Sequence, residues 1–354
     1  MIDKFKDYIS SISKQSNVAI LHDTDADGMS AMALTNLALK KLNIRIKLTI
    51  SKHHSGREIT NELVNELKQN KITHLICLDL PVESFPGKEK LSDFKVLIID
   101  HHPIELHHIK SNFLIIKPHL FQYEILPFKI CTAQVVYLFF SKIMDIEDLK
   151  WILLIGMMGD ITYDTHKNFM DDILKKLKII PQENIFDTEF GKLVNYITYA
   201  DCISTNDSYK KVEQSLLNSN NWKQALENLN EFKIVEDEIN NLIKEFDSKK
   251  EILNYIYFYE VKSKYNTTSI LSTIISIKKI PNNVLLVLEE NNNKIHISAR
   301  CQNQQHNMGK MLSEIKIKLK NASGGGHIPA AGATIQLKDK NKFKEMVIQY
   351  IKGE

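Results

Sequence analysis

Four short stretches of the chain end in carboxylates, and an apolar run precedes each. LHDTDADGMSA (21–31) carries Asp23, Asp25 and Asp27 at alternate positions just before Gly28. THLICLDL (73–80) carries Asp79, KVLIID (95–100) runs into Asp100, His101 and His102, and WILLIGMMGD (151–160) ends at Asp160. Unpaired carboxylates are costly to bury, and two of them about 4 Å apart at an effective dielectric near 20 repel by about 4 kcal/mol. Gathered together with imidazoles, and with no Lys or Arg expected beside them, they need a cation. Oxygen ligands with one or two nitrogens suit Mn²⁺ or Mg²⁺ in octahedral geometry, the imidazole favouring Mn²⁺. Two such ions can activate a water and neutralise a phosphate's leaving oxygen. In that arrangement His101 reaches a metal, Asp100 orients an imidazole and His102 faces the phosphate.

Each stretch alone has a plainer reading. Alternating Asp residues suit a solvated turn, Asp79 a turn cap, and Asp160 a helix end. The Asp series also begins like a calcium-binding loop, but a strand precedes it and position 34, where a closing Glu belongs, is Leu.

The elements that position these residues follow from periodicity. NVAIL (17–21), IRIKLTI (44–50), THLICLDL, KVLIID and NFLIIK (112–117) read as strands, while 28–42 and 57–70 read as amphipathic helices. Strands alternating with helices give an α/β domain with a largely parallel sheet covered on both faces. Ligands in such sheets gather at the carboxyl ends of the strands, where these acidic and histidine residues fall. From about 132 to 250 the pattern is helical, and the polar stretch beginning WKQALENLNEF reads as a connector. After Glu251 strands return, followed by a helix near 307–320, a Gly-rich loop, and a last strand and helix. The expected division is a metal-binding domain over 1–185, a helical connector over 186–250, and a smaller α+β domain over 251–354.

Composition bounds the partners. The chain has 354 residues, 43% hydrophobic and 25% charged, with 46 Lys+Arg against 43 Asp+Glu. Two domains fit that length, and a nucleic-acid partner must be met by a local basic patch. Four dispersed cysteines without a C-x-x-C argue for a reducing compartment. The first helix lacks a signal peptide's apolar core, and no apolar run approaches membrane-spanning length. A cytoplasmic protein without a membrane partner is expected.

DTDADG, LDL, IIDHH and GMMGD resemble the four successive motifs of the DHH phosphoesterase superfamily, and GGGHIPAAGATI (324–335) resembles the signature of the DHH-associated C-terminal domain. All five occur in family order across nearly the whole chain. The pattern looks closest to the RecJ-like and archaeal-type exonucleases and the oligoribonuclease branch. The resemblance implies that Asp25, Asp27, Asp79, His101 and Asp160 hold two metal ions, Mn²⁺ or else Mg²⁺, with Asp79 bridging and His102 on the phosphate. Asp23 stands where relatives have His or Asp, and His22, one position off, is not counted as a ligand.

The run Gly324–Gly326 has its own physics. Three glycines cost roughly 1 kcal/mol each in ordering entropy, while a bare backbone can approach a phosphate and point N–H groups at it. A tight helix-to-strand turn is the plainer reading. His327 adds a donor, and Arg300 matches a phosphate-clamping Arg by resemblance, followed by Cys301 where relatives often have Ser. In IIKPH (115–119), Lys117 stands where relatives often carry Asn, and His119 could line the cleft. His53-His54 and His107-His108 read as surface residues, and NYIYFYEV as one alternating strand. The expected activity is hydrolysis of single-stranded DNA or RNA, or of short oligonucleotides, in a cleft between the domains. A homodimer is compatible with this reading. A phosphodiesterase acting on cyclic dinucleotides or 3′-phosphoadenosine phosphate is the alternative enzyme, and a non-catalytic replication-complex subunit the alternative of another class.

Overall fold

The computed structural model of the chain describes residues 1–52, 56–103, 113–121, 129–180 and 182–353. His53-His54 and His107-His108 lie outside the described residues. The chain divides into two compact units, Met1–Phe232 and Lys233–Glu354, so the segment 186–250 expected as a connector is shared between them. No described helix is long and apolar enough to cross a membrane.

The first unit is built on β1 (Val18–Asp23), β2 (Ile46–Lys52), β3 (His74–Leu78), β4 (Lys95–Ile99) and β5 (Phe113–Ile116). All neighbours are parallel, in the order β2-β1-β3-β4-β5. β1 is buried along its whole length, which is why it reads as a continuous apolar run and not as an alternating one. Helix α1 (Ile2–Ser10) lies ahead of it, and α2 (Ala26–Lys41) leads from β1 to β2. Helix α3 (Asn61–Gln69) buries Leu63, Val64 and Leu67 in the cluster that holds Ala19, Leu21, Leu75 and Cys77. The strand order reverses beside β1, because β2 lies on one side and β3 on the other. Such a reversal opens a crevice at the carboxyl ends of the two strands.

Helices α4 (Thr132–Phe140), α5 (Lys150–Gly159), α6 (Lys167–Lys176), α7 (Glu189–Ile203), α8 (Asn206–Asn218) and α9 (Trp222–Asn228) complete this unit, with α2 packed against α4, α5 and α8.

The second unit opens with α10 (Lys233–Lys249) and adds β6 (Glu251–Leu253), β7 (Ile256–Val261), α11 (Thr268–Lys278), β8 (Val284–Asn291), β9 (Lys294–Arg300), α12 (Met308–Ile317), β10 (Ser323–Gly326), β11 (Ala330–Gln336) and α13 (Lys340–Gly353). Its mixed sheet runs β10-β11-β9-β8-β7-β6, with only β7 and β8 parallel. Phe258, Leu286, Ile297, Met311, Leu312 and Phe343 form its core.

Three expectations change here. The aromatic run keeps its expected strand as β7, but its first two residues, Asn254 and Tyr255, take positive φ and turn the chain back from β6, so a hairpin stands where one strand was expected. A helix, α11, occupies residues for which the sequence suggested no element. The glycine run is an edge strand paired with β11, Gly325 opposite Gly332, and not an open loop.

Candidate metal centre

The sheet ends supply the cluster. Asp23 is the last residue of β1, and Asp79 and Asp100 directly follow β3 and β4. Asp79 adopts φ 59°, a left-handed conformation that costs a non-glycine residue about 1–2 kcal/mol. Asp160 caps the C-terminal end of α5, where the helix dipole disfavours a carboxylate. Both positions carry a local cost.

Packing brings Asp160 to the strands. Gly156 and Gly159, the two glycines of GMMGD, let α5 lie against the start of α2. A Cβ at Gly156 would fall 2.7 Å from Asp27 Oδ1 and 2.6 Å from Ala133 Cβ. Asp27 is fully buried, and its carboxylate accepts from the amides of Thr132 at 2.6 Å and Ala133 at 2.8 Å, at the N-terminus of α4. Thr132 Oγ1 donates to Asp79 Oδ1 at 2.9 Å. Asp25 instead caps α2, accepting from the Gly28 amide at 2.9 Å.

His101 stands at the middle. Its Nε2 is 3.2 Å from Asp160 Oδ2 and 3.6 Å from Asp79 Oδ1. One ligand atom from each of Asp27, His101 and Asp160 lies within 4.8 Å of the others, and the same holds for Asp79, His101 and His102. Among the described residues, Asp23 and Asp25 join neither group, although the charge of Asp25 bears on Asp27, Asp79 and Asp160.

Burial, followed by the neighbouring aspartates, holds the carboxyls of Asp27 and Asp79 well above the usual range. The same causes push Asp160 up to about 7. Burial, with His102 adding to it, lowers His101 to about 4, so its imidazole is neutral and able to ligate at neutral pH. The donor set therefore fits a divalent ion: acidic oxygens that repel one another and a neutral nitrogen aimed between them.

Asp100 has a different surrounding. Burial alone would raise its carboxyl, but the hydrogen bond from His102 and the charge of Lys117 hold it well below the usual range. Its Oδ1 accepts from His102 Nδ1 at 2.7 Å and from the His102 amide at 3.2 Å. Asp100 is thus an ionised acceptor, so Nδ1 carries the proton and Nε2 is the other, outward-capable nitrogen. Burial acts to lower His102, yet the bond and charge of Asp100 outweigh it and raise the imidazole. The expectation that no basic residue stands nearby is corrected here: buried Lys117 lies 2.7 Å from Asp100 Oδ2 and also pairs with Glu83.

The bracing of the first acidic stretch also escaped the sequence. His22 is buried, with Nδ1 donating to the Asp23 carbonyl at 2.6 Å and Nε2 3.2 Å from Glu213 of α8. Thr24 Oγ1 and Tyr209 Oη each donate to Asp201 Oδ1 at 3.0 Å. Helices α7 and α8, expected within the connector, thus hold the β1–α2 turn in place. Those partners lie 177 and 191 residues away along the chain, beyond what spacing can signal.

In the second unit Arg300 ends β9 and is nearly buried. Its guanidinium donates to Thr273 Oγ1 at 3.1 Å, Ser269 Oγ at 3.1 Å and the Ala299 carbonyl at 3.0 Å. No carboxylate pairs with it among the described residues, and burial lowers it to about 10. His327 is exposed, and its carbonyl accepts from the Gly309 amide at 3.0 Å. Gly324 and Gly325 are half-buried and Gly326 is exposed in the edge strand β10; every second amide of such a strand points away from the sheet.

Fold and site together define an α/β domain with a carboxylate–imidazole centre at its strand ends, followed by a mixed-sheet domain with a nearly buried arginine. Residues 17–158 match the DHH family, N-terminal domain, and residues 253–353 match the DHHA1 domain. The chain belongs to the DHH superfamily and carries the DHHA1 domain. It is 24% identical over 192 residues to the uncharacterized protein MJ0831 of Methanocaldococcus jannaschii, which covers 51% of this chain and 43% of that protein. RecJ of Thermus thermophilus in complex with Mn²⁺ shares the fold at a TM-score of 0.67 and 13% identity, over 99% of this chain and 54% of that one. The pGpG-specific phosphodiesterase PggH of Vibrio shares it at 0.54 and 13%, over 95% and 99% of the two chains. The chain thus spans about half the length of the first two.

Proposed function

We propose that the chain is a metal-dependent phosphodiesterase that hydrolyses single-stranded nucleic acid or short oligonucleotides with two divalent ions. The convergence of Asp27, Asp79 and Asp160 on a neutral His101 carries this reading. Those four residues would hold the ions, with Asp25 beside them as the family resemblance implies. Bound there, Mn²⁺ or Mg²⁺ would supply Lewis acidity and a hydroxide nucleophile. His102, its Nδ1 tied to Asp100, presents the opposite nitrogen to a phosphate oxygen. Arg300, His327 and the outer edge of Gly324–Gly326 supply the grip on a phosphate, so chemistry is assigned to the first unit and holding to the second. An almost buried guanidinium without a carboxylate is suited to a bidentate anion.

The test is purified protein with Mn²⁺ against labelled RNA and DNA from dinucleotides to long oligonucleotides, with cyclic dinucleotides alongside. Metal-dependent release of nucleotides is expected. Hydrolysis that persists in EDTA, or no hydrolysis of any member, would reject the reading. The match to a pGpG-specific phosphodiesterase over nearly its whole length keeps a dinucleotide substrate as the second reading, which the shortest members of the panel decide.

A further inference from the structure

Among the described residues, Lys117 is the one cation buried beside the centre. Its side chain and that of Asp100 are completely buried, and that of Glu83 nearly so. The ammonium lies 2.7 Å from Asp100 Oδ2, bonds Glu83 Oε1, and sits 3.2 Å from the His102 carbonyl. Asp100 Oδ1 in turn receives Nδ1 of His102 at 2.7 Å. The four side chains form one line, Glu83–Lys117–Asp100–His102, contributed by the segment after β3, the residue after β5 and the end of β4.

Stability alone does not account for this line. Taking a lysine out of water costs several kcal/mol, and apolar residues of similar volume are often as good or better. Geometry offers another reason. Asp100 is close enough for its charge to bear on Asp79 and Asp160. With Oδ2 in an ion pair with the ammonium and Oδ1 hydrogen-bonded to the imidazole, Asp100 has a charged contact on each side. It cannot swing toward the metal cluster without breaking two charged contacts.

We infer that Lys117, itself held by Glu83, is a positioning residue that commits Asp100 to His102 and so fixes the orientation of the His102 ring. The kinetic half of this inference rests on the phosphodiesterase reading; the structural half does not.

The test is Glu83→Gln/Lys117→Met, which removes both charges and keeps the volume. Long-range ¹H–¹⁵N correlation of the imidazoles, in metal-free protein, reads the His102 tautomer directly, assigned through His102→Gln. In the wild type Nδ1 should be the protonated nitrogen; in the double variant the ring should shift toward mixed tautomers while the other histidines stay put. With Mn²⁺, kcat should fall roughly tenfold with KM and Mn²⁺ affinity unchanged. Wild-type-like His102 shifts in a folded double variant would overturn the inference, as would an unchanged kcat. Should the double variant fail to fold, Glu83→Gln alone loosens Lys117, and an unperturbed His102 there would also overturn it. If the wild type cleaves nothing, the phosphodiesterase reading falls while the imidazole spectra still decide the role of Lys117.

Discussion

The two units bury ionisable groups of opposite sign, and among the described residues each leaves its group without a full counter-charge. In the first, burial and mutual repulsion raise Asp27, Asp79 and Asp160. In the second, burial lowers Arg300, which only neutral oxygens receive among the described residues. Each group is pushed toward its neutral form, a direction compatible with the proposed cation in the first unit and the proposed anion in the second. Glu289 shows that a shift alone is not a site. Burial pushes it up to about 7, yet it joins no group of ligand atoms among the described residues.

The sharpest break of this comparison is removal of a metal ligand. Asp160→Ala or His101→Ala should reduce hydrolysis to background and lower the Mn²⁺ stoichiometry measured by calorimetry, with the fold intact by circular dichroism. Near-normal turnover in either variant would dissolve the assignment of the first unit.

Removing the metal comes next. In metal-free protein the Asp160 carboxyl titrates near 7 in the folded state, against an ordinary value of 3.8. The folded state therefore binds the proton more tightly, and its contribution to stability is complete below about pH 4 and is lost as pH rises through about 7. At about 1.4 kcal/mol per pKa unit, the loss is a few kcal/mol. In EDTA, Tm should fall between pH 6.5 and pH 8, above the range in which the lowered His101 works in the opposite direction, and Mn²⁺ should reverse the fall. Asp100 and His101, both lowered, act the opposite way and only at lower pH. A Tm that climbs through this window in EDTA would mean the carboxyls do not repel.

The anion side predicts a smaller effect. A charge-assisted contact is worth about 1.5–3 kcal/mol, so Arg300→Ala or His327→Ala should lower kcat/KM on oligonucleotides by roughly ten- to a hundredfold. Mn²⁺ binding should be unchanged, and a small generic diester should be cleaved nearly as before. Equal losses on both substrates would end the division of labour between the units.

The smallest expected change lies in the bracing of the β1–α2 turn. Tyr209→Phe removes one hydrogen bond to Asp201 and should cost about 1 kcal/mol of stability, with a slight drop in Mn²⁺ affinity. An effect as large as that of Asp160→Ala would promote Asp201 to a far more direct role.

Much of the first sheet was legible because its strands are short apolar runs, three of them (β1, β3 and β4) closed by an aspartate, and the end of a strand is where a parallel sheet gathers ligands. Asp79, Asp100 and Asp160 were visible as carboxylates in apolar surroundings. Local patterns could not show what meets them. Asp27 is received by amides 105 and 106 residues away, and Lys117 read only as a departure from relatives until Glu83, 34 residues back, came beside it. In the second unit, helix α11 was missed because TSILSTIISIK mixes β-branched and hydroxyl residues that carry no helix signal. The hairpin was missed because its turn is Asn254-Tyr255 and not Asn-Gly.

The two amides of Thr132 and Ala133 that hold Asp27 have a use of their own. They are backbone hydrogens bonded directly to a candidate ligand carboxylate, at 2.6 and 2.8 Å. An ion that replaces a proton on that carboxyl changes its strength as an acceptor, so the deuterium-exchange rates of these two positions become an intrinsic gauge of loading. No chromophore or substrate is required, and the start of α4 reports occupancy from inside the protein.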